Sequence, residues 1–251
     1  MTDLDDDTWA EIKPIFQSAF PCEAVVALFQ DGSWREIENI NAQPWQAFTI
    51  SMADSALLAL QEPTLFLHSH PNGQAWPSDM DTEQQLGTGW NWGIVPVTGN
   101  VAGDVFNVGY PGIWGPDAPI KALEGRDFLW GIRDCWTLAW DYYRVSGREL
   151  PPIPRVREPG GHHTEPRKVD PFRYWPPKLG FVRVDRADRR EGDMAVLHWS
   201  SPIPNHVAIY LGEGRYLHQP EKSLSHIWQV PHEEKWIERM AAEFWRLPND
   251  D

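Results

Sequence analysis

Cysteine is scarce in this chain: 251 residues hold two, Cys22 and Cys135. One falls in each half, and both are read as free thiols, as suits synthesis in a reducing compartment. Long apolar runs are missing too. No stretch reaches the roughly 18 consecutive apolar residues of a membrane-crossing helix, so no span is expected. The N-terminus shows no basic segment followed by an apolar core, so no secretory signal is expected either. Basic residues are in the minority. Lys and Arg number 22 against 36 Asp and Glu, a net charge of −14, which argues against nucleic acid as a partner. No internal repeat is visible. Tryptophan, by contrast, is abundant at 15 residues. Most are expected to pack, and Trp76 and Trp136 are candidates for stacking on sugar rings.

The length fits one or two domains. Two unrelated clusters of reactive side chains favour two. The run Gly109-Tyr110-Pro111-Gly112-Ile113-Trp114-Gly115-Pro116-Asp117-Ala118-Pro119 is rich in Gly and Pro and reads as a linker. The expected division is therefore 1–108, a linker at 109–119, and 120–251.

The first cluster is His68-Ser69-His70-Pro71 with Ser78 and Asp81. The apolar run Thr64–Leu67 ahead of it reads as a buried strand. Alternate strand residues face the same way, so His68 and His70 can reach one ion. Pro71 ends the strand. Ser78 then looks like the N-cap of a helix with acidic residues in its first turn. Asp81 would sit one turn in and point back. Two imidazoles and a carboxylate leave a fourth position for water, the layout of a catalytic zinc.

The second cluster begins at Cys135. Cys135, Leu138, Ala139 and Tyr142 fall at helical spacing, and Gly147 closes the helix. A cysteine in the first turn of a helix is favoured as thiolate, the nucleophilic form. Asn205–Leu211 reads as a strand beginning at a histidine. Gly212–Arg215 is a turn, and Tyr216-Leu217-His218 starts the next strand of a hairpin. His206 could then act as base to Cys135, with His218 orienting it and His226 as a substitute orienter.

Both strings resemble known families. H-x-H-P-x6-S-x-x-D is similar at every fixed position to the signature of JAMM (MPN-type) zinc peptidases. That resemblance implies an α/β sandwich for the first domain, zinc on His68, His70 and Asp81, and Ser78 helping to hold an oxyanion. It also implies an upstream glutamate as general base, best matched by Glu23. Family members commonly show Cys-Gly shortly after that glutamate, where this chain has Ala24-Val25-Val26-Ala27. The implied reaction is hydrolysis of an amide or isopeptide bond. Phe128 to Leu224 resembles the NlpC-type cysteine peptidases, in its Asp134-Cys135 helix start, its Gly192-Asp193 before a strand, and its Asn205-His206-Val207-Ala208-Ile209-Tyr210. That implies a papain-like α+β domain, with an N-terminal helix packed on an antiparallel sheet, and a Cys135, His206, His218 triad.

The two modules in this order are similar to the tail tip assembly proteins of long-tailed siphophages. The resemblance implies peptidoglycan stem peptides as substrate of the cysteine domain and other tail tip proteins as partners. It implies residence in the host cytoplasm during assembly and then at the virion tail tip. A purely structural assembly factor, with one or both sites vestigial, is the alternative.

The remaining expectations are local. Leu150 to Pro177, with His162-His163, reads as an extended Pro-rich loop. The final stretch from His232 to Arg246, with Trp236, Ile237, Met240, Phe244 and Leu247 at helical spacing, reads as an amphipathic helix. The acidic runs at 3–7 and 249–251 read as solvated ends.

Overall fold

Cap chemistry starts the first helix. In the computed structural model, which describes residues 4–100, 102–153 and 170–248, Asp5 accepts the Thr8 amide and opens α1 (Asp6–Ala19). Ile12 and Phe16, four apart on one face, are its buried residues. Then follow β1 (Val25–Leu28), β2 (Trp34–Ile37), α2 (Met52–Gln61), β3 (Leu65–His70), α3 (Asp79–Thr88), β4 (Trp92–Gly99), β5 (Val105–Val108) and β6 (Gly112–Trp114).

These strands form a mixed sheet in the order β2-β1-β3-β4-β5, with β6 also on β4. Only β3 and β4 run parallel, and α3 lies in the crossover between them. Every residue of β3 is buried, as a strand covered on both faces must be. Leu65, Leu67, Val95 and Val97 pack with Ile12 and Phe16 of α1 on one face. Phe66 and Trp92 pack with Val25, Ala27 and Leu58 of α2 on the other. His68 and His70 continue the Phe66 face by strand alternation.

The stretch expected to be a linker instead belongs to this sheet. Gly112, Ile113 and Trp114 pair with Ile94, Gly93 and Trp92. The chain divides into units Met1–Pro119 and Ile120–Asp251. Gly and Pro at 109–119 serve a tight return onto β4, and a three-residue strand leaves no period for sequence reading to catch.

The second unit contains α4 (Cys135–Val145), α5 (Pro171–Lys178), β7 (Val182–Val184), β8 (Met194–Leu197), β9 (His206–Tyr210), β10 (Arg215–His218), β11 (His226–Gln229), α6 (Glu233–Arg239) and β12 (Glu243–Arg246). The strand order is β11-β10-β9-β8-β12-β7, antiparallel throughout. Alternation sends Met194, Val196, Val207, Ile209, Leu217 and Trp245 to one face, where Leu138, Ala139 and Tyr143 of α4 cover them. Ala195, Leu197, Ala208, Tyr210, Tyr216 and Phe244 face the other way, onto Trp236 and Ile237 of α6.

Three local expectations fail here. The helix expected over 232–246 stops at Arg239, and residues 243–246 form the internal strand β12. Ala241 takes φ +46°, which no helix continues through. The apolar residues beyond it satisfy helical spacing by coincidence. Part of the expected Pro-rich loop is helix α5. Asp170 accepts the Phe172 amide, and Pro171 occupies the first helical turn, where its missing N–H costs nothing. His162-His163 lies outside the described residues. Finally, Trp136 is not free to stack on sugars, because it is buried against Phe172, with ring centroids 5.4 Å apart.

Candidate functional sites

In the first unit a strand and a helix start bring together three side chains that could hold a metal ion. Ser78 caps α3 and forms a reciprocal capping box with Asp81. That box fixes Asp81 one turn inside the helix, aimed at β3. His68 Nε2 lies 3.1 Å from His70 Nε2. Asp81 Oδ1 is 3.2 Å from His68 Nε2, and Asp81 Oδ2 is 3.5 Å from His70 Nε2. All three residues are buried. Phe48 covers His68, with ring centroids 4.9 Å apart.

One ligand atom from each residue lies within 4.8 Å of the other two, close to the spacing around a tetrahedral dication. Bonds of about 2.0–2.2 Å to zinc imply neighbouring ligand atoms about 3.3–3.6 Å apart. Burial holds the His68 imidazole well below its ordinary pKa, against the pull of Asp81. Burial pushes the Asp81 carboxyl up, but His68, His70 and Ser78 outweigh it and hold the group low. We take the pair as a neutral imidazole beside a carboxylate. With their protons on Nδ1, both imidazoles would turn Nε2 lone pairs toward the Asp81 carboxylate, an arrangement that a cation would complete. Neither His68 Nδ1 nor His70 Nδ1 has a hydrogen-bond partner among the described residues.

Glu23 lies at this site. Val25 pairs with His68 in the β1–β3 ladder, so extending the antiparallel register places Glu23 opposite His70. The ladder is pinned there by Ala24 N–H donating to Ser69 Oγ at 2.8 Å and Ser69 N–H donating to Ala24 O at 3.0 Å. Burial raises the Glu23 pKa from 4.5 to about 7, with His70 lowering it and Asp81 raising it. Glu23 thus sits beside the histidines although Ala24-Val25-Val26-Ala27 stands where Cys-Gly was expected. Ser78 differs from expectation. Its hydroxyl donates to Asp81 Oδ2 at 2.7 Å, as its amide does, so in this geometry it orients a ligand instead of reaching outward. Trp76 is half-buried beside this helix start.

In the second unit Asp134 caps α4 through the Thr137 amide, and Thr137 Oγ1 accepts the Asp134 amide in return. Cys135 is the first helical residue, half-buried and packed at the margin of the α4 core. Both cysteines are free thiols. The segment leading to Cys135 is tied to the histidine strands. Gln219 Nε2 donates to the Arg126 and Asp127 carbonyls at 3.1 and 2.9 Å. Arg126 N–H donates to Ser225 Oγ at 3.1 Å. Gln219 follows His218, and Ser225 precedes His226.

The histidines themselves form a chain. His206 Nε2 is 3.3 Å from His218 Nδ1. His218 Nε2 is 3.2 Å from His226 Nε2. His226 Nδ1 is 2.9 Å from the Leu224 carbonyl. Trp199 lies against His206 and His218, at 5.2 and 5.3 Å between centroids, and Trp228 stacks on His218 at 5.7 Å. Asn205 clasps the Trp199 backbone on both sides, accepting its N–H at 2.7 Å and donating to its carbonyl at 3.0 Å. Burial lowers the pKa of both His206 and His218 from 6.5 to about 3; for His218, His206 and His226 add to the effect. His226 therefore joins His218 and does not replace it. The signal was present in the eight-residue spacing, which a short hairpin turns into direct pairing of the two histidines. The Trp199 and Trp228 cradle left no motif. The Gly-Asp before β8 is structural: Gly192 takes φ +90°, and Asp193 accepts from Arg190 N–H at 2.7 Å and from Arg246 at 2.8 and 2.7 Å.

The second unit thus combines a helix-start cysteine with a histidine chain on the sheet that α4 covers. Residues 125–245, inside the second unit, match the NlpC/P60 family model. Over 185 residues the chain is 28% identical to tail tip assembly protein K of Escherichia phage lambda, covering 74% of this chain and 82% of that protein. It is 29% identical over 203 residues to tail tip assembly protein K of Escherichia phage N15, covering 80% and 77%. Among solved structures it is similar to an NlpC/P60 family protein from Bacillus cereus ATCC 10987, at 13% identity and TM-score 0.32, covering 94% of this chain and 67% of that one. No helix of the described residues is long and apolar enough to cross a membrane.

Proposed function

We propose that this chain is a tail tip peptidase whose second unit cuts peptidoglycan stem peptides with Cys135 as nucleophile. The observation that carries the reading is the histidine chain lying inside the residues that match NlpC/P60. His206 takes the Cys135 proton, and His218 holds the His206 ring. The start of α4 offers backbone N–H groups for the oxyanion of an acyl transfer. His206 then returns its proton to the leaving amine, and water releases the peptide from Cys135. The relatives' shared name supports a place at the tail tip, with other tail proteins as partners. Cys135→Ala should abolish release of peptides from purified cell wall, and undiminished release would remove the mechanism.

For the first unit we propose a JAMM-like metallopeptidase site with His68, His70 and Asp81 holding zinc. Zinc bound there supplies Lewis acidity to a carbonyl and acidifies water. Glu23, opposite His70, is the group that accepts and relays the proton. Ser78 fixes Asp81. Full-length protein purified without added metal should contain about one equivalent of zinc per chain. A chain that binds none under these conditions, and none when zinc is added back, would refute the site.

A second reading draws on the relatives' name, which states assembly and not hydrolysis. On that reading the sites are vestigial and the chain serves tail tip maturation. Cell-wall digestion by the full chain separates the two readings.

A further inference from the structure

We propose that His226, anchored by the Leu224 carbonyl, is a positioning residue that sets where the protons sit along the histidine chain, leaving Nδ1 of His206 as the unprotonated nitrogen that serves Cys135. The inference rests on the cysteine-peptidase reading for what that nitrogen does, but not for the proton positions.

The argument follows donors and acceptors. A carbonyl oxygen only accepts, so the 2.9 Å contact to Leu224 requires a proton on His226 Nδ1. A neutral imidazole then carries only a lone pair on Nε2. The 3.2 Å contact between His226 Nε2 and His218 Nε2 requires His218 to be the donor. That leaves a lone pair on His218 Nδ1. The 3.3 Å contact from His218 Nδ1 to His206 Nε2 requires His206 to donate in turn. His206 is then protonated on Nε2 and basic on Nδ1. A single backbone carbonyl fixes the tautomers of three neutral rings. Burial keeps the inner two uncharged, with both pKa values near 3. The stacked Trp228 and the flanking Trp199 hold the two inner rings in register. His226 lies on the exposed edge strand β11. Substitution there alters the end of the chain without opening the core.

A donor in place of His226 should invert the whole series. His226→Lys presents only N–H groups to His218 Nε2, so that nitrogen must accept. His218 Nδ1 then donates, and His206 keeps its proton on Nδ1, where it cannot serve as base. His226→Glu presents only acceptors and preserves the native order. In a serine triad the wrong histidine tautomer costs about 10⁴-fold in rate. Acting through one more ring, the lysine variant should lose at least about 10-fold.

The test uses full-length protein labelled with ¹⁵N-histidine. Proton–nitrogen correlation spectra at neutral pH read the tautomer of each ring. The wild type and His226→Glu should show His206 and His218 protonated on Nε2, and His226→Lys should show both protonated on Nδ1. Iodoacetamide alkylation of the Cys135 peptide, followed by mass spectrometry across a pH series, reads thiol activation independently of any substrate. It should slow at least about 10-fold in His226→Lys and stay within about 3-fold in His226→Glu. A wild-type His206 protonated on Nδ1 would overturn the proposal. So would a lysine variant with native tautomers and native alkylation. If the tautomers behave as stated but wild-type protein releases nothing from cell wall, the positioning stands and the peptidase reading fails.

Discussion

Glu23 offers a quantitative check on the first site, because its proton is coupled to folding. Its side chain is 7% exposed, and burial moves its pKa from 4.5 to about 7. Between those values the folded chain keeps a proton that the unfolded chain releases. Stability must therefore fall as pH rises from about 4.5 to about 7, and the loss is complete above that window. Each pKa unit is worth about 1.4 kcal/mol, so the shift corresponds to at most about 3.5 kcal/mol, and partial contact with solvent reduces it to about 1–2 kcal/mol. Glu23→Gln keeps the shape and removes the titration. His68 and Asp81 titrate in both proteins and cancel in the comparison. The assay is hydrogen exchange by mass spectrometry on chelator-treated full-length protein at pH 5 and pH 8, read on peptides covering β1 and β3 and corrected for intrinsic exchange. Wild type should lose about 1–2 kcal/mol more protection than Glu23→Gln over that range. Adding zinc should shrink the difference, since a neighbouring cation favours the carboxylate. Equal pH slopes in the two metal-free proteins would refute the placement of Glu23 in a dry site beside His70.

His68→Ala and His70→Ala should each lower bound zinc by about 10-fold or more in affinity, read by metal analysis after dialysis, while Cys135 alkylation stays unchanged. Phe244→Ala empties a fully buried position in β12 and should destabilise the second unit by about 3–5 kcal/mol, read as exchange protection across β8 and β12. Asp193→Ala strands the Arg246 guanidinium and the Arg190 amide and should cost about 2–4 kcal/mol in the same measurement. Acid should unfold the second unit early. His206 and His218 have folded pKa values of about 3 against an ordinary 6.5, so the unfolded chain binds the extra protons. Stability is then lost as pH falls from about 6.5 toward 3, and His218→Gln should lessen that loss.

Much of both sites was readable because their chemistry is local. H-x-H on a strand and Ser-x-x-Asp at a helix start each specify geometry within one element, and the structure joins them through a single crossover. The same holds for Asp134-Cys135 and for Asn205-His206. What escaped was set by tertiary context. Residues 243–246 have helical spacing with the turn before them, yet the positive φ at Ala241 ends the helix. The strand that follows seats Phe244 between β7 and β8. Gly112–Trp114 became a strand because β4 had an unpaired edge to offer, a fact about β4 and not about the segment. Trp136 points inward because α4 meets Phe172 of a helix more than thirty residues on, beyond the reach of any periodicity.

Both sites depend on the same physical device, the enforced neutrality of buried imidazoles. In the first unit burial disfavours the proton on His68, and Asp81 supplies a negative charge beside it. In the second unit no carboxylate is hydrogen-bonded to His206 or His218 among the contacts described, and burial alone keeps them uncharged. A carboxylate orienter fixes a tautomer and also stabilises the imidazolium, whereas a histidine orienter fixes the tautomer and adds no negative charge. On the proposed mechanism a cysteine thiol needs less help than a serine hydroxyl, because thiols ionise more readily and helix starts favour anions. The proposal therefore asks no more of the histidines than a neutral chain ending at a backbone carbonyl. The same chain carrying a serine should fail, and Cys135→Ser is expected to lose hydrolysis while its histidine tautomers remain those of the wild type.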